Sequence, residues 1–172
     1  LYTQDFLTPY HYAHPARAGK HEAATVRPAA RSGNPATSLA ELDRKKVAYR
    51  IEGFMWHQGE NDMFHKDFKP NYGKNLKNFL ASWRRDLKAP NLKFYIGELC
   101  CKTIWGMDNR HNLAILRQQQ QQVLKADPLV RWVPTSHLAF EVMNSGQPHY
   151  HFGTQGQLQM GEAFAAAYLD SI

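Results

Sequence analysis

The chain has 172 residues and a formal net charge of +6 at neutral pH. This length suits one domain with a substantial core and is too short for two, and no apolar run is long enough to cross a bilayer. The cationic residues are dispersed, without the long basic run interleaved with aromatics that is typical of nucleic-acid binding. We therefore expect neither a nucleic-acid nor a membrane partner.

Residues 1–45 show no regular period and contain four prolines, Pro9, Pro15, Pro28 and Pro35. A long irregular stretch in a compact domain is usually a functional loop or disordered. We interpret residues 1–45 as an irregular covering loop region, in which residues 1–12 form an ordered cover over one end of a sheet and residues 16–38 are mobile.

Strand and helix patterns alternate from residue 47 onward. The predicted strands cover residues 47–56, 92–99 and 129–134. The predicted amphipathic helices cover residues 70–87, 110–126 and 155–169. Three such alternations predict right-handed crossovers and a mostly parallel sheet with helices on both faces.

The sequence also predicts which side chains of these helices face solvent and which face the core. The glutamine run 118–122 lies within the second helix, and we interpret it as a solvated helix face. The residues of the last helix expected to face inward are Leu158, Gly161, Phe164, Ala165 and Tyr168.

A dense polar cluster, Trp56-His57-Gln58-Gly59-Glu60-Asn61-Asp62, follows the first predicted strand. In open parallel sheets, ligands bind beyond the carboxyl ends of the strands. Gly59 permits a tight turn, Asn61 offers an amide donor for an oxyanion, Gln58 offers a second amide, and Glu60 can orient a histidine. A simple polar turn capped by Asn61 or Asp62 explains the same residues.

A second cluster, residues 149–157, lies just before the last predicted helix and contains His149 and His151. A histidine held in such a loop can act as a general base. An aromatic-rich loop that packs on the core is the alternative. If the catalytic interpretation is right, the two clusters meet at the carboxyl edge of the sheet.

The two clusters together resemble a known family. Residues 53–62, Gly-Phe-Met-Trp-His-Gln-Gly-Glu-Asn-Asp, resemble the third sequence block of SGNH hydrolases, most closely in the sialate O-acetylesterase and acetylxylan esterase branch. Residues 59–62 match the broader Gly-x-Asn-Asp pattern. Residues 151–158 resemble the last block, where an aromatic residue, a glycine and the closing helix follow the catalytic histidine. Residues 1–6 resemble the stretch after the second block.

This resemblance implies an α/β fold, a three-layer α/β/α sandwich with a mostly parallel flavodoxin-like sheet. The chain would be the C-terminal two-thirds of a single SGNH-hydrolase-like domain, residues 1–172, without its first strand and helix. The implied activity is removal of acetyl groups from sugars by a serine nucleophile, with an acetylated carbohydrate as substrate and no metal or other cofactor. A secreted or periplasmic location is implied by the family alone.

The resemblance also assigns roles to individual residues. His151 is the expected general base, in preference to His149, because its spacing to Gly156 matches the family pattern. Asn61 is the expected oxyanion donor, supported by Gln58 and Gly59. The residues expected to contact substrate are Trp56, His57, Asp62 and His149.

Two departures from the family pattern matter. No Gly-Asp-Ser or Gly-Gln-Ser block is present, so we expect the nucleophile upstream of Leu1, on a segment of the same protein that packs against this one. Pro148 stands where the family usually has the aspartate that orients the histidine. Glu60 is then the candidate carboxylate, with Glu141 as the substitute. A non-catalytic carbohydrate-binding or structural domain of the same fold is the alternative function.

Other residues carry weaker signals. Cys100 and Cys101 are adjacent, and neighbouring cysteines rarely meet disulfide geometry, so we interpret them as small apolar residues near a strand end. The candidate aromatic platforms for sugar rings are Tyr2, Phe6, Tyr10, Tyr12, Trp56 and Trp105. Core packing is the favoured interpretation for Trp56 and Phe6.

Overall fold

The computed structural model of the chain describes residues 35–104, 106–138, 140–142 and 148–172. The chain divides into two compact units, Leu1–Ile51 and Glu52–Ile172. Within the described residues, no helix is both long and apolar enough to cross a membrane. The candidate aromatic platforms other than Trp56 lie outside the described residues.

The described part of the first unit contains one helix, α1, Pro35–Arg44. This helix corrects the prediction that residues 1–45 are irregular throughout; residues 1–34 lie outside the described residues. A proline is well tolerated in the first turn of a helix. Glu41 pairs with Arg44 at 2.6 Å and with Lys45 at 3.3 Å, the two spacings at which helical side chains meet. Lys46, with φ of 56°, then ends the turn.

The second unit contains the remaining elements. Its helices are α2 (Tyr72–Asp86), α3 (Arg110–Ala126) and α4 (Thr154–Leu169). Its strands are β1 (Gly53–Trp56), β2 (Lys93–Gly97), β3 (Thr103–Ile104), β4 (Met107–Asp108), β5 (Val130–Val133), β6 (Phe140–Val142) and β7 (Pro148–Phe152). Two short 3₁₀ helices, Glu60–Phe64 and Lys69–Asn71, lie between β1 and α2.

The central sheet has the order β1–β2–β5 and is parallel. Phe54 of β1 lies opposite Phe94 of β2, which lies opposite Val130 of β5. The pairs β3–β4 and β6–β7 are antiparallel ribbons. The parallel sheet predicted from strand–helix alternation is confirmed, although β1 is shorter than predicted. Val47 is 47% exposed and Tyr49 is 43% exposed, so these apolar residues do not extend a buried strand.

Helices pack on both faces of the sheet because strand side chains alternate between faces. Phe54 contacts Phe79 of α2 edge-on, with ring centroids 5.8 Å apart. On the other face, Tyr95 packs with Val133 and with Phe164 of α4. The three-layer arrangement predicted from the sequence is therefore confirmed.

The face of α4 that packs on the sheet differs from the predicted one. Phe164 is buried and Tyr168 packs beside it, as expected. Leu158, however, is 67% exposed, and a Cβ added at Gly161 would meet nothing within 4 Å. Small apolar residues line most of this helix, so the sequence supports more than one inward stripe. The other residues that pack on the sheet side are Met160, Ala163 and Ala167.

The glutamine run is not a solvated face throughout. Gln120 is 2% exposed, and its Nε2 donates to the backbone oxygen of Gly97 at 3.2 Å while its Oε1 accepts from the amide of Leu99 at 3.3 Å. Gln119 accepts from the amide of Gly73 at 2.8 Å and donates to the oxygen of Lys69 at 2.8 Å. A side-chain amide both donates and accepts, so these residues satisfy backbone groups where β2 ends and where α2 begins.

Candidate functional site

Three polar residues meet at the carboxyl edge of the central sheet. His57 directly follows β1, Glu98 directly follows β2, and Thr135 comes shortly after β5. Nε2 of His57 lies 3.2 Å from the backbone oxygen of Glu98 and 3.5 Å from Oγ1 of Thr135. The first polar cluster therefore begins at the sheet edge where ligands bind in open parallel folds.

The turn from His57 to Asp62 depends on a glycine. Gly59 has φ of 155°, and a Cβ there would lie 2.6 Å from Cδ1 of Leu99 and 2.9 Å from Cε2 of Tyr72. The Gly59 amide donates to Oε2 of Glu60 at 3.1 Å. The Tyr72 hydroxyl donates to the oxygen of Gln58 at 3.0 Å. The turn is thus held by the Glu60 carboxylate within it and by the Tyr72 hydroxyl of α2.

Neighbouring residues of this turn have opposite environments. Asn61 is exposed, which leaves its amide accessible from solvent. Asp62 is only 5% exposed, and burial raises the pKa of its carboxyl to about 6, against a hydrogen bond from Gln58 that favours the charged form. Asp62 was expected to contact substrate, but its side chain is buried and is not open to a substrate from solvent.

Trp56 packs mainly as a core residue, as its favoured interpretation predicts. Its ring lies 4.4 Å from that of Phe79 and 6.4 Å from that of Phe54, measured between centroids. This side chain anchors the start of the polar turn to α2.

The second cluster meets the first through a pair of rings. Phe152 ends β7 and is buried, while its neighbour His151 is exposed. The rings of Phe152 and His57 are 5.4 Å apart at an interplanar angle of 69°, an edge-on contact. Phe152 also packs with Cys100 and Leu138. The expected meeting of the two clusters at the carboxyl edge is confirmed, whereas the catalytic roles of their residues stay predictions.

Residues 34–170 match the model of a family described as carbohydrate esterase, sialic acid-specific acetylesterase. The chain belongs to this family. The predicted resemblance to sialate O-acetylesterase-like carbohydrate esterases is therefore confirmed.

Relatives of this carbohydrate esterase family support the fold. A probable carbohydrate esterase of Arabidopsis thaliana is 24% identical over 129 residues, which cover 75% of this chain and 44% of that protein. The crystal structure of the same Arabidopsis protein matches with a TM-score of 0.59 and 23% identity, over 81% of this chain and 54% of the other. A carbohydrate acetylesterase from Xanthomonas citri matches with a TM-score of 0.50 and 17% identity, over 72% and 26% of the two chains. This chain thus spans less than half of its curated relative.

The predicted mechanism uses a serine nucleophile, and the described serines lie in different places. Ser38 is in α1. Ser82 is in α2. Ser171 lies near the amino end of β2, where its Oγ is 2.7 Å from the Tyr95 hydroxyl. Ser136 lies at the carboxyl edge, and its amide donates to Oε2 of Glu98 at 3.2 Å. Pro148, in the position of the usual aspartate, is the first residue of β7.

Neither cysteine is suited to act as a nucleophile, and the described residues offer no cluster of metal ligands. Cys100 and Cys101 are both buried, as expected, and burial raises the pKa of each thiol to about 11. Both are therefore protonated at neutral pH and poor nucleophiles. Within the part of the chain that the structure describes, no group of three or more acidic, histidine or cysteine side chains is arranged to hold a metal ion.

Two polar residues of this edge were not predicted from the sequence. Glu98 and Thr135 were not singled out, although each comes soon after a predicted strand, the same signal that identified His57. The Glu98 carboxylate accepts from the Thr135 amide at 3.2 Å and pairs with Arg117 of α3. The apolar neighbours Leu99 and Cys100 made the end of β2 look like core, which hid this signal.

Proposed function

We propose that the protein is a carbohydrate O-acetylesterase that acts through a serine-bound acetyl intermediate. The observation that carries the proposal is the ring contact between His57 and Phe152, which sets the polar turn 57–62 beside the strand that carries His151. Membership of a carbohydrate esterase family supports the reaction class. The nucleophile is proposed to come from a part of the protein that precedes Leu1.

In the proposed mechanism, a serine oxygen attacks the acetyl carbonyl carbon while His151 takes the hydroxyl proton. The tetrahedral oxyanion accepts a hydrogen bond from Asn61, a donor of a kind whose loss typically costs about 3 kcal/mol in the transition state. When the intermediate collapses, the C–O bond to the sugar breaks and His151 returns the proton to the departing sugar hydroxyl. Water then attacks the acetyl-enzyme by the same route, which releases acetate.

Glu60 is the proposed carboxylate for orienting the base. It holds the Gly59 amide, and its charge acts on neighbouring groups, since it raises the pKa of Asp62 in addition to the effect of burial. Gln58 is proposed to support the turn, because its backbone oxygen is held by Tyr72. Glu141, in β6, stays the substitute carboxylate.

The histidine assignment is tested in a form of the protein that includes its serine. His151→Ala should lower kcat on one acetylated sugar by several orders of magnitude, as loss of a triad base does. His149→Ala is the matched control from the same strand and should cost far less. The reverse ranking would move the base to His149 and contradict the assignment.

The source of the nucleophile has its own test. Residues 1–172 alone should hydrolyse an acetyl ester barely above background. Turnover that is blocked by a serine-directed inhibitor would show that a serine within these residues is the nucleophile, and Ser136 would then be the first to replace with alanine.

A non-catalytic carbohydrate-binding domain is the second candidate. The proline at position 148, in place of an aspartate, favours it. Saturable binding of an acetylated oligosaccharide without release of acetate, measured with the full-length protein, would support this candidate over the esterase.

A further inference from the structure

Glu98 connects three strand ends of the candidate site. Its backbone oxygen accepts a hydrogen bond from Oγ1 of Thr135 at 2.5 Å and lies 3.2 Å from Nε2 of His57. Its carboxylate accepts from the amides of Thr135 and Ser136, each at 3.2 Å. Arg117 pairs with the same carboxylate from α3. One residue therefore uses both its main chain and its side chain to bind the other two strand ends.

The contact with Glu98 fixes which nitrogen of His57 carries a proton. A carbonyl oxygen can only accept a hydrogen bond, so the Nε2 that faces it must be the donor. Burial lowers the pKa of His57, and the ring is therefore neutral at pH 7. The neutral ring with its proton on Nε2 has an Nδ1 that can only accept.

The same network supports the strand that carries the proposed base. Phe152 rests edge-on against the His57 ring and packs with Cys100 and Leu138. Sγ of Cys100 lies 3.8 Å from the oxygen of Thr135, and the Leu138 amide donates to that oxygen at 3.1 Å. The residues that Phe152 contacts are thus each linked to Glu98, His57 directly and Cys100 and Leu138 through Thr135.

From this geometry we propose that Glu98 and Thr135 are positioning residues of the esterase site. They hold His57 as the neutral Nε2–H tautomer, in the orientation against which Phe152, and with it His151, is seated. The inference rests on the proposed function for its purpose, because a base must be held in a defined geometry to act. The tautomer itself is measurable without any turnover.

The test is ¹⁵N nuclear magnetic resonance of the His57 ring in the full chain at pH 7. Wild type should show the neutral Nε2–H form. Glu98→Gln removes the charge that pairs with Arg117, and Thr135→Val removes the hydroxyl donor. Each change weakens one of the contacts that hold the Glu98 backbone oxygen in place opposite Nε2 of His57, so each should lower the ratio of Nε2–H to Nδ1–H, by about fivefold if one typical hydrogen bond is lost. Thr135→Ser, which keeps the hydroxyl, should restore the wild-type ratio.

Asp127→Asn is the matched control. Asp127 pairs with Arg84 at 2.5 Å and accepts from the Leu129 amide at 3.0 Å, so it repeats the chemistry of Glu98 on the amino side of β5. It should reduce stability yet leave the His57 ratio unchanged. A charged or Nδ1–H ring in wild type, or an unchanged ratio in folded Glu98→Gln and Thr135→Val, would overturn the inference. An intact Nε2–H ring in a full-length wild-type protein that releases no acetate from an acetylated sugar would instead count against the proposed function.

Discussion

Replacing Gly59 with alanine tests how the polar turn is held, since two separate penalties fall on one added methyl group. The backbone there has φ of 155°, and the new Cβ would lie 2.6 Å from Cδ1 of Leu99 and 2.9 Å from Cε2 of Tyr72. Both neighbours belong to the core, at 0% and 4% exposure, so neither can move freely. An unfavourable backbone conformation costs about 1–3 kcal/mol, and overpacking costs about 1–3 kcal/mol.

Three other glycines separate these two penalties. Gly106 has φ of 77° but no atom within 4 Å of an added Cβ, so alanine there should cost only about 1–2 kcal/mol of backbone strain. A Cβ at Gly97 would lie 2.4 Å from Cδ2 of His57, which gives overpacking alone, about 1–3 kcal/mol. Gly161 is an open helical site, and alanine there should stabilise by about 0.5–1 kcal/mol.

The assay is urea unfolding followed by circular dichroism, with midpoints compared at constant m-value. Gly59→Ala should be the least stable of the four, by about 3–5 kcal/mol relative to wild type, a large part of the roughly 5–15 kcal/mol typical of a domain. If it is already unfolded in buffer, the ranking is measured with an excluded osmolyte present. A Gly59→Ala variant as stable as Gly106→Ala would refute the contact with Leu99 and Tyr72.

Two further substitutions, each with a matched control, probe the same unit. Burial raises the pKa of Asp62 to about 6, above the value of about 3.9 for an unfolded aspartate. The folded state therefore loses stability as Asp62 ionises. The free energy of unfolding should fall by about 3 kcal/mol as pH rises from about 4 to 6, and it should stay low above that range. Asp62→Asn should flatten this profile in urea titrations, whereas exposed Asp67→Asn should not. Phe79→Ala, at a site 3% exposed, should cost about 3–5 kcal/mol in thermal melts. Phe64→Ala, at a site 39% exposed, should cost under about 1 kcal/mol.

Much of the fold was predictable because its signals are local. α3 was predicted at residues 110–126 and has those bounds, since a long amphipathic pattern stops at Asp127-Pro128, where a helix cannot easily continue. The polar turn was found because a hydrophobic strand stops abruptly at His57. Both inferences need only a few neighbouring residues.

The remaining features depend on partners far along the chain. Gln120 looked like one of five equivalent solvated glutamines, yet its amide reaches Gly97 and Leu99, 23 and 21 residues away. Glu98 was not singled out, yet its carboxylate accepts from the amide of Thr135, 37 residues later. A periodicity argument carries no information about such pairs, so burial of these polar groups could not be anticipated.

The oxidation of methionines in the second unit can report what lies beside the sheet. Met55, on outer strand β1 of the described sheet, is 54% exposed, whereas Met63 is 0% exposed. Peroxide converts accessible methionine to the sulfoxide, so a brief pulse followed by mass spectrometry should label Met55 and spare Met63. Met107, 50% exposed in another element, reports the dose. In any longer form of the protein, loss of labelling at Met55 alone would identify a segment that lies over β1.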